Sequence, residues 1–179
     1  MKHQWVRAAA LLAVCLIAGA AQAAIPVWDA VAVRTYPHDP KAFTEGLFYE
    51  GGFLYESTGL AGLSDIRKVE LATGRVLRSR RLAPTYFGEG IVDWKGRLIE
   101  LTWRNEVGFV YDLATFKARG RFTYVGEGWA LTKDAHELIM SDGTPRLRFL
   151  SPATLEVTHT LDVTADGVPV QNLNELEWV

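Results

Sequence analysis

Three glutamates and one asparagine stand at related places along this chain. Glu89 sits between two glycines in Phe87-Gly88-Glu89-Gly90-Ile91, at the entry to an apolar run. The same shape occurs at Phe43-Thr44-Glu45-Gly46-Leu47 and at Val125-Gly126-Glu127-Gly128-Trp129, and in altered form at Asn172-Leu173-Asn174-Glu175-Leu176. Carboxylates gathered at one place repel one another, and a neighbouring indole strips water from them. Both effects raise a carboxyl pKa toward the range where it can shuttle a proton near neutral pH. Glu89 is the candidate acid/base, and Asn174, an amide at the matching position, could hold a developing oxyanion. Trp129 follows Glu127-Gly128 where the other segments have Leu47 and Ile91, and Trp103 stands where counting from the hairpin turn gives Gly59 and Gly143. The bland alternatives are solvated or turn-capping glutamates and core tryptophans.

Other chemistries find little support. There is no G-x-S-x-G elbow, phosphate loop or dinucleotide glycine fingerprint. Ser141-Asp142-Gly143 reads as a turn rather than an acidic metal loop. His3, His38, His136 and His159 are scattered without ligand spacing, so no metal site is expected.

The elements that must position these residues are short strands. Leu47–Tyr49 and Phe53–Tyr55 flank Gly51-Gly52 as a hairpin, followed by Ile66–Leu71 and Val76–Leu82. The order returns as Ile91–Trp94, Leu98–Thr102, Gly108–Leu113 and Lys117–Tyr124, and again as Trp129–Leu131, Leu138–Met140, Leu147–Leu150 and Leu155–Val163. The Ala-Thr pairs at 72, 114 and 153 mark the third-to-fourth turns at spacings of 42 and 39 residues. Four strands repeated at roughly 40–45 residues is the period of a β-propeller blade. The expected fold is therefore all-β, about three blades and the start of a fourth. Aligned on their Glu-Gly pairs, the repeats bring Glu45, Glu89, Glu127 and Asn174 to one rim of a central channel.

The two ends carry further expectations. Lys2 and Arg7 precede an apolar run from Ala8 to Ala20 that closes in Ala21-Gln22-Ala23, a secretory signal with its cleavage pattern. Residues 1–23 are read as that signal and 24–179 as the propeller domain, secreted or periplasmic. Cys15, the single cysteine, lies in the signal; beyond it 17 basic residues face 21 acidic ones, which excludes a basic nucleic-acid footprint. Val27–Tyr36 is read as a lone leading strand, and Glu175–Val179 as the first strand of a further blade. An unclosed ring leaves apolar edges, so the domain is expected to be C-terminally incomplete and poorly soluble alone.

The segment Tyr36-Pro37-His38-Asp39-Pro40-x-Ala42-Phe43-Thr44-Glu45-Gly46-Leu47, with Phe87-Gly88-Glu89-Gly90, Leu101-Thr102-Trp103, Gly128-Trp129 and Leu173-Asn174-Glu175-Leu176-Glu177, resembles the plant and bacterial type of glutaminyl-peptide cyclotransferase. The resemblance runs over essentially the whole chain after the signal. It implies a five-bladed propeller, export, and conversion of an N-terminal glutamine of a peptide or protein into pyroglutamate with loss of ammonia. No cofactor or catalytic metal is implied, and the full-length form would act as a monomer without nucleic-acid or membrane partners. By position, Glu89 resembles the proton-transferring glutamate, Trp103 and Trp129 the aromatic walls with Phe43 beside them, and Asn174 the residue that holds the γ-carbonyl. Position 45 is Gln in many relatives; Glu45 here could still meet the substrate amine. A further Trp and Lys of the family fall beyond Val179. Two other readings compete: a non-catalytic propeller that binds peptides or sugars through its aromatic rim, and glycoside hydrolysis by Glu45 and Glu89.

Overall fold

The structure, a computed structural model, describes residues 27–179. The expected signal, its cleavage pattern and Cys15 lie outside the described residues. The chain divides into two compact units, Met1–Arg34 and Thr35–Val179. All strands among the described residues belong to the second.

Alternation and turn chemistry produce the first sheet. Strands β1 (Thr44–Glu50) and β2 (Phe53–Thr58) are joined by Gly51-Gly52, whose φ values of +57° and +89° give the left-handed turn that a two-residue hairpin needs. Strands β3 (Asp65–Glu70) and β4 (Arg75–Arg81) complete an antiparallel sheet in the order β1-β2-β3-β4. The second sheet repeats this with β5 (Gly88–Trp94), β6 (Arg97–Thr102), β7 (Val107–Asp112) and β8 (Ala118–Thr123). The third has β9 (Leu131–Lys133), β10 (Leu138–Met140), β11 (Arg146–Leu150) and β12 (Val157–Asp162). These are three propeller blades. A small hairpin not expected from the sequence, β13 (Thr164–Ala165) with β14 (Val168–Pro169), turns at Asp166-Gly167, both with positive φ.

The core lies in the seams between the sheets. Tyr55 and Ile66 of the first meet Leu98, Tyr111 and Phe116 of the second; Ile99, Leu101 and Val110 on its other face meet Leu138, Met140 and Leu150 of the third. Burial is concentrated in β2, β3, β5 and β6, while β4 and β12 are exposed throughout. Strand β4 carries Arg75, Arg78, Arg80 and Arg81, charges that discourage pairing at an outer edge.

Three sequence expectations are corrected. Val27–Tyr36 forms no strand, because β composition makes a strand only where a partner ladder exists, and the three sheets pair among their own strands. Val27, Trp28, Val31 and Val33 are instead exposed. Glu175–Val179 is likewise not a strand: that segment is tied to the third sheet only upstream, by Gly143 N–H on the Leu173 carbonyl (3.2 Å) and Ser141 Oγ on the Asn174 carbonyl (2.7 Å).

The third correction concerns register. Leu47 pairs with Glu56, Ile91 with Glu100 and Leu131 with Met140, the first of each pair five residues before the last residue of a two-residue turn. Counting back, Trp129, not Glu127, occupies the place of Glu45 and Glu89. Glu127 occupies that of Phe43 and Phe87. The Glu-Gly pair of the third repeat is displaced by two residues.

Candidate active site

Backbone contacts between neighbouring blades hold the inner ends of β1, β5 and the segment before β9 together. Gly90 N–H donates to the Trp129 carbonyl at 2.7 Å. A Cβ on Gly90 would lie 2.5–2.7 Å from backbone atoms of Leu131, Trp129 and Ala130, and one on Gly46 would lie 2.7 Å from Ile91 N. Only glycine allows this approach, and it places Glu45, Glu89 and Trp129 at one level. Asn174 joins them through a relay: Ala130 N–H donates to Ser141 Oγ at 3.0 Å, which donates to the Asn174 carbonyl.

Glu89 is 7% exposed. Burial, followed by the charges of Glu45, Glu175 and Glu127, pushes its carboxyl up to about 9. Burial also raises Glu45. Glu175 keeps exposed surface, yet the protein packed around its carboxylate, then Glu177 and Glu45, raise it to about 7. The acidic neighbours of Glu89 are therefore Glu45, Glu127 and Glu175. Sequence reasoning overlooked Glu175, which the motif alignment had set one place past Asn174.

The aromatic side is continuous. The Phe43 and Phe87 rings meet edge to face at 6.3 Å, and Phe87 lies 5.4 Å from the Trp103 indole. Phe87 rests on Gly59, where a Cβ would come within 2.4 Å of its ring; Trp129 rests in the same way on Gly143, at 2.6 Å. Trp103 replaces that small residue in the second blade and so projects a wall where its equivalents leave room. Both indole N–H groups donate to Glu127 Oε2, Trp103 at 2.7 Å and Trp129 at 2.8 Å. Arg104 Nε donates to Glu127 Oε1 at 3.0 Å, and its guanidinium covers the Trp103 ring at 3.7 Å. These partners, Trp129 first, hold Glu127 below the usual carboxylate range.

A second tier of acids supports the site. Glu56 and Glu100 occupy equivalent places in β2 and β6, both essentially inaccessible. Glu56 is hydrogen-bonded to His38 Nε2 (2.8 Å) and Thr44 Oγ1 (2.6 Å), tying down the residue before Glu45. Glu100 accepts from Tyr111 (3.1 Å) and Ser57 (3.2 Å), and burial pushes it up to about 8. Arg67, paired with Asp65 and Asp39, fastens the Pro37–Pro40 turn that leads into Phe43. The hairpin count could have revealed the Glu56–Glu100 repeat; their partners come from distant strands and leave no local signal.

The structure thus brings Phe43, Glu45, Glu89, Trp103 and Trp129 into one neighbourhood and sets the Asn174 backbone at its edge. A cavity of about 490 Å³ is lined by Leu47, Ile91, Leu131 and Leu176, one from each segment, together with charged residues such as Asp93 and Lys133. A larger cavity, about 970 Å³, includes none of the four glutamates in its lining. Among the described residues no three His, Cys, Asp or Glu side chains come together as a metal would require. Chemically the site offers one proton-holding carboxyl and aromatic walls.

Comparison with known proteins agrees in fold and motif. A family model described as glutamine cyclotransferase matches residues 6–179. A glutaminyl-peptide cyclotransferase of Arabidopsis thaliana is 43% identical over 149 residues, covering 82% of this chain and 47% of the relative. The crystal structure of Myxococcus xanthus glutaminyl cyclase superposes with a TM-score of 0.75 at 32% identity, covering 82% of this chain and 62% of that one. The WD40 domain of Neurospora crassa Pan2, at 10% identity and a TM-score of 0.54, covers 66% of this chain and 36% of its own and shares the fold alone. The chain spans about half the length of the curated relative it matches.

Proposed function

Because the chain belongs to the glutamine cyclotransferase family, we propose that it carries the catalytic rim of a glutaminyl-peptide cyclotransferase, converting an N-terminal glutamine into pyroglutamate with release of ammonia. The observation that carries this reading is Glu89, buried beside Glu45 and within reach of the charge on Glu127, with its carboxyl pushed up to about 9.

The reaction is intramolecular. The substrate α-nitrogen attacks its own side-chain amide carbon; a C–N bond forms, the carbonyl becomes an oxyanion, and the bond to the departing nitrogen breaks. The site must fold the side chain back, move one proton and stabilise that oxyanion. A free α-amine has a pKa of roughly 7.7–8.0. A carboxyl near 9 is close enough to exchange a proton with it at little cost. At neutral pH this carboxyl holds its proton, and the attacking species is the smaller free-base fraction of the amine, which grows as pH rises toward its own pKa. Glu89 then gives that proton to leaving ammonia and regains one from the attacking nitrogen. Trp103, Trp129 and Phe43 exclude water from the folded side chain, Glu45 receives the amine, and Asn174 holds the γ-carbonyl.

The same reading includes export, supported by the signal pattern of residues 1–23, and a protein that works as a monomer on peptide or protein N-termini, without nucleic-acid or membrane partners. The test is incubation of the protein with a short N-terminal Gln peptide while ammonia and peptide mass are followed. Ammonia release that falls at least a hundredfold in Glu89→Gln is expected, about the contribution of general acid–base catalysis. Absence of release, or release unchanged by the substitution, overturns the proposal.

A further inference from the structure

The third blade breaks the repeat at one decisive place. Where the first two blades put the phenyl rings of Phe43 and Phe87, it puts the carboxylate of Glu127, and one oxygen of that carboxylate accepts both indole N–H groups of the site. Trp103 comes from the end of β6, and Trp129 precedes β9. No other hydrogen bond joins the two side chains. Each indole has a single polar atom, a donor, so the direction of each bond is fixed.

We infer that Glu127 is a positioning residue that clamps Trp103 and Trp129 as a pair across the seam between the second and third blades, and from the same place keeps a negative charge beside Glu89. This deepens the cyclotransferase reading and rests on it for the identity of the substrate, though not for the clamp itself. The other oxygen of Glu127 holds Arg104, which in turn covers the outer face of Trp103, so the carboxylate orients one wall from two sides. An ionised acceptor makes stronger bonds than a neutral one and holds both indoles without giving up a proton of its own. Its ionised state is favoured by those partners, the two indoles and the Arg104 cation. The groups whose charges act on Glu89 are Glu45, Glu175 and Glu127, and Tyr124 lies within range of Glu89 in turn.

The test compares the unsubstituted protein with Glu127→Gln and Glu127→Ala. Glutamine keeps the shape and loses the charge; alanine loses both. Indole N–H resonances are followed by ¹H–¹⁵N NMR, with Trp103→Phe and Trp129→Phe used for assignment. Two indole signals shifted downfield and slow to exchange are expected, and in Glu127→Ala both should move upfield and exchange faster. Two signals unchanged in Glu127→Ala, with the fold retained, overturn the clamp. With an N-terminal Gln peptide, KM should rise roughly tenfold in Glu127→Gln, the scale of one lost charged hydrogen bond. The pH limb that reports Glu89 should move to lower pH, because one neighbouring negative charge is gone; a packing defect alone would not move it. Turnover with KM and limb both unchanged overturns the positioning role. If the unsubstituted protein shows no turnover, the cyclotransferase reading falls by itself, and the indole signals still decide the clamp.

Discussion

Gly90 and Trp129 are joined by a 2.7 Å backbone hydrogen bond that crosses from the second blade to the third. It sets the level at which Glu89 and the indole of Trp129 face one space. The close approach has a strict steric condition, since a Cβ at residue 90 would lie 2.5 Å from Leu131 N and 2.6 Å from the Trp129 carbonyl oxygen. Backbone cannot swing aside as a flexible side chain can. Gly90→Ala should therefore destabilise the protein by about 3 kcal/mol or more, the upper range for forcing atoms into a packed interior. Urea denaturation followed by tryptophan fluorescence measures this, and an unchanged midpoint would show that the seam is loose.

Gly143 separates two kinds of glycine requirement. Its φ is +79°, and an added Cβ would strike the Trp129 ring at 2.6 Å. Gly51 has a comparable φ of +57° but nothing within 4 Å. Alanine at 51 should cost only backbone strain, about 1 kcal/mol. Alanine at 143 should also displace the indole and weaken binding of a Gln peptide, by a factor on the order of 10 to 100. Fluorescence titration of the two variants distinguishes them.

Tyr124 tests the support behind Trp103. Its buried hydroxyl accepts from Thr102 N–H at 2.9 Å and donates to the Thr102 carbonyl, one residue before the indole. Tyr124→Phe leaves that N–H without its partner in the interior. The expected loss is about 1–3 kcal/mol, read as a lower thermal midpoint.

Stability should fall with rising pH across the neutral range. Glu89 (about 9), Glu100 (about 8) and Glu175 (about 7) all titrate in the fold above the ordinary carboxylate value of 4.5. Between 4.5 and 9 the folded chain therefore binds more protons than the unfolded one. The stabilisation from these groups is complete below about 4.5 and is lost as pH climbs through the folded values. Groups shifted downward, such as Glu127 and Asp112, act in the opposite sense and cost stability only on acidification. Urea midpoints at pH 5.5, 7 and 9 should decline in that order, and Glu89→Gln should flatten the decline.

The strands were legible because their information is local. Gly51-Gly52 and Lys95-Gly96 turn where the sequence says, and the apolar positions between them repeat from blade to blade. The site was legible in its members but not in its register. Glu127-Gly128 imitates Glu89-Gly90 as a string of letters, whereas hydrogen-bond register follows the hairpin turn, which sets Trp129 at the place in its blade that Glu89 holds in the second. The double acceptance by Glu127 leaves no trace in spacing, since its donors come from residues 103 and 129 on separate segments. Val27–Tyr36 failed for the converse reason: its composition suits a strand, but composition supplies no partner.

The members of the rim come from blades that share no hydrogen-bonded ladder, and the bond from Trp103 to Glu127 crosses the seam rather than running along a sheet. Each blade can keep all its own strand pairing while the blades part slightly. The rim cannot survive that parting, because Glu45, the pair Glu89 and Trp103, and Trp129 would then belong to three separate bodies. Binding competence should accordingly be more fragile than secondary structure: mild denaturant or heat would silence the pocket while the β signal in circular dichroism still stands.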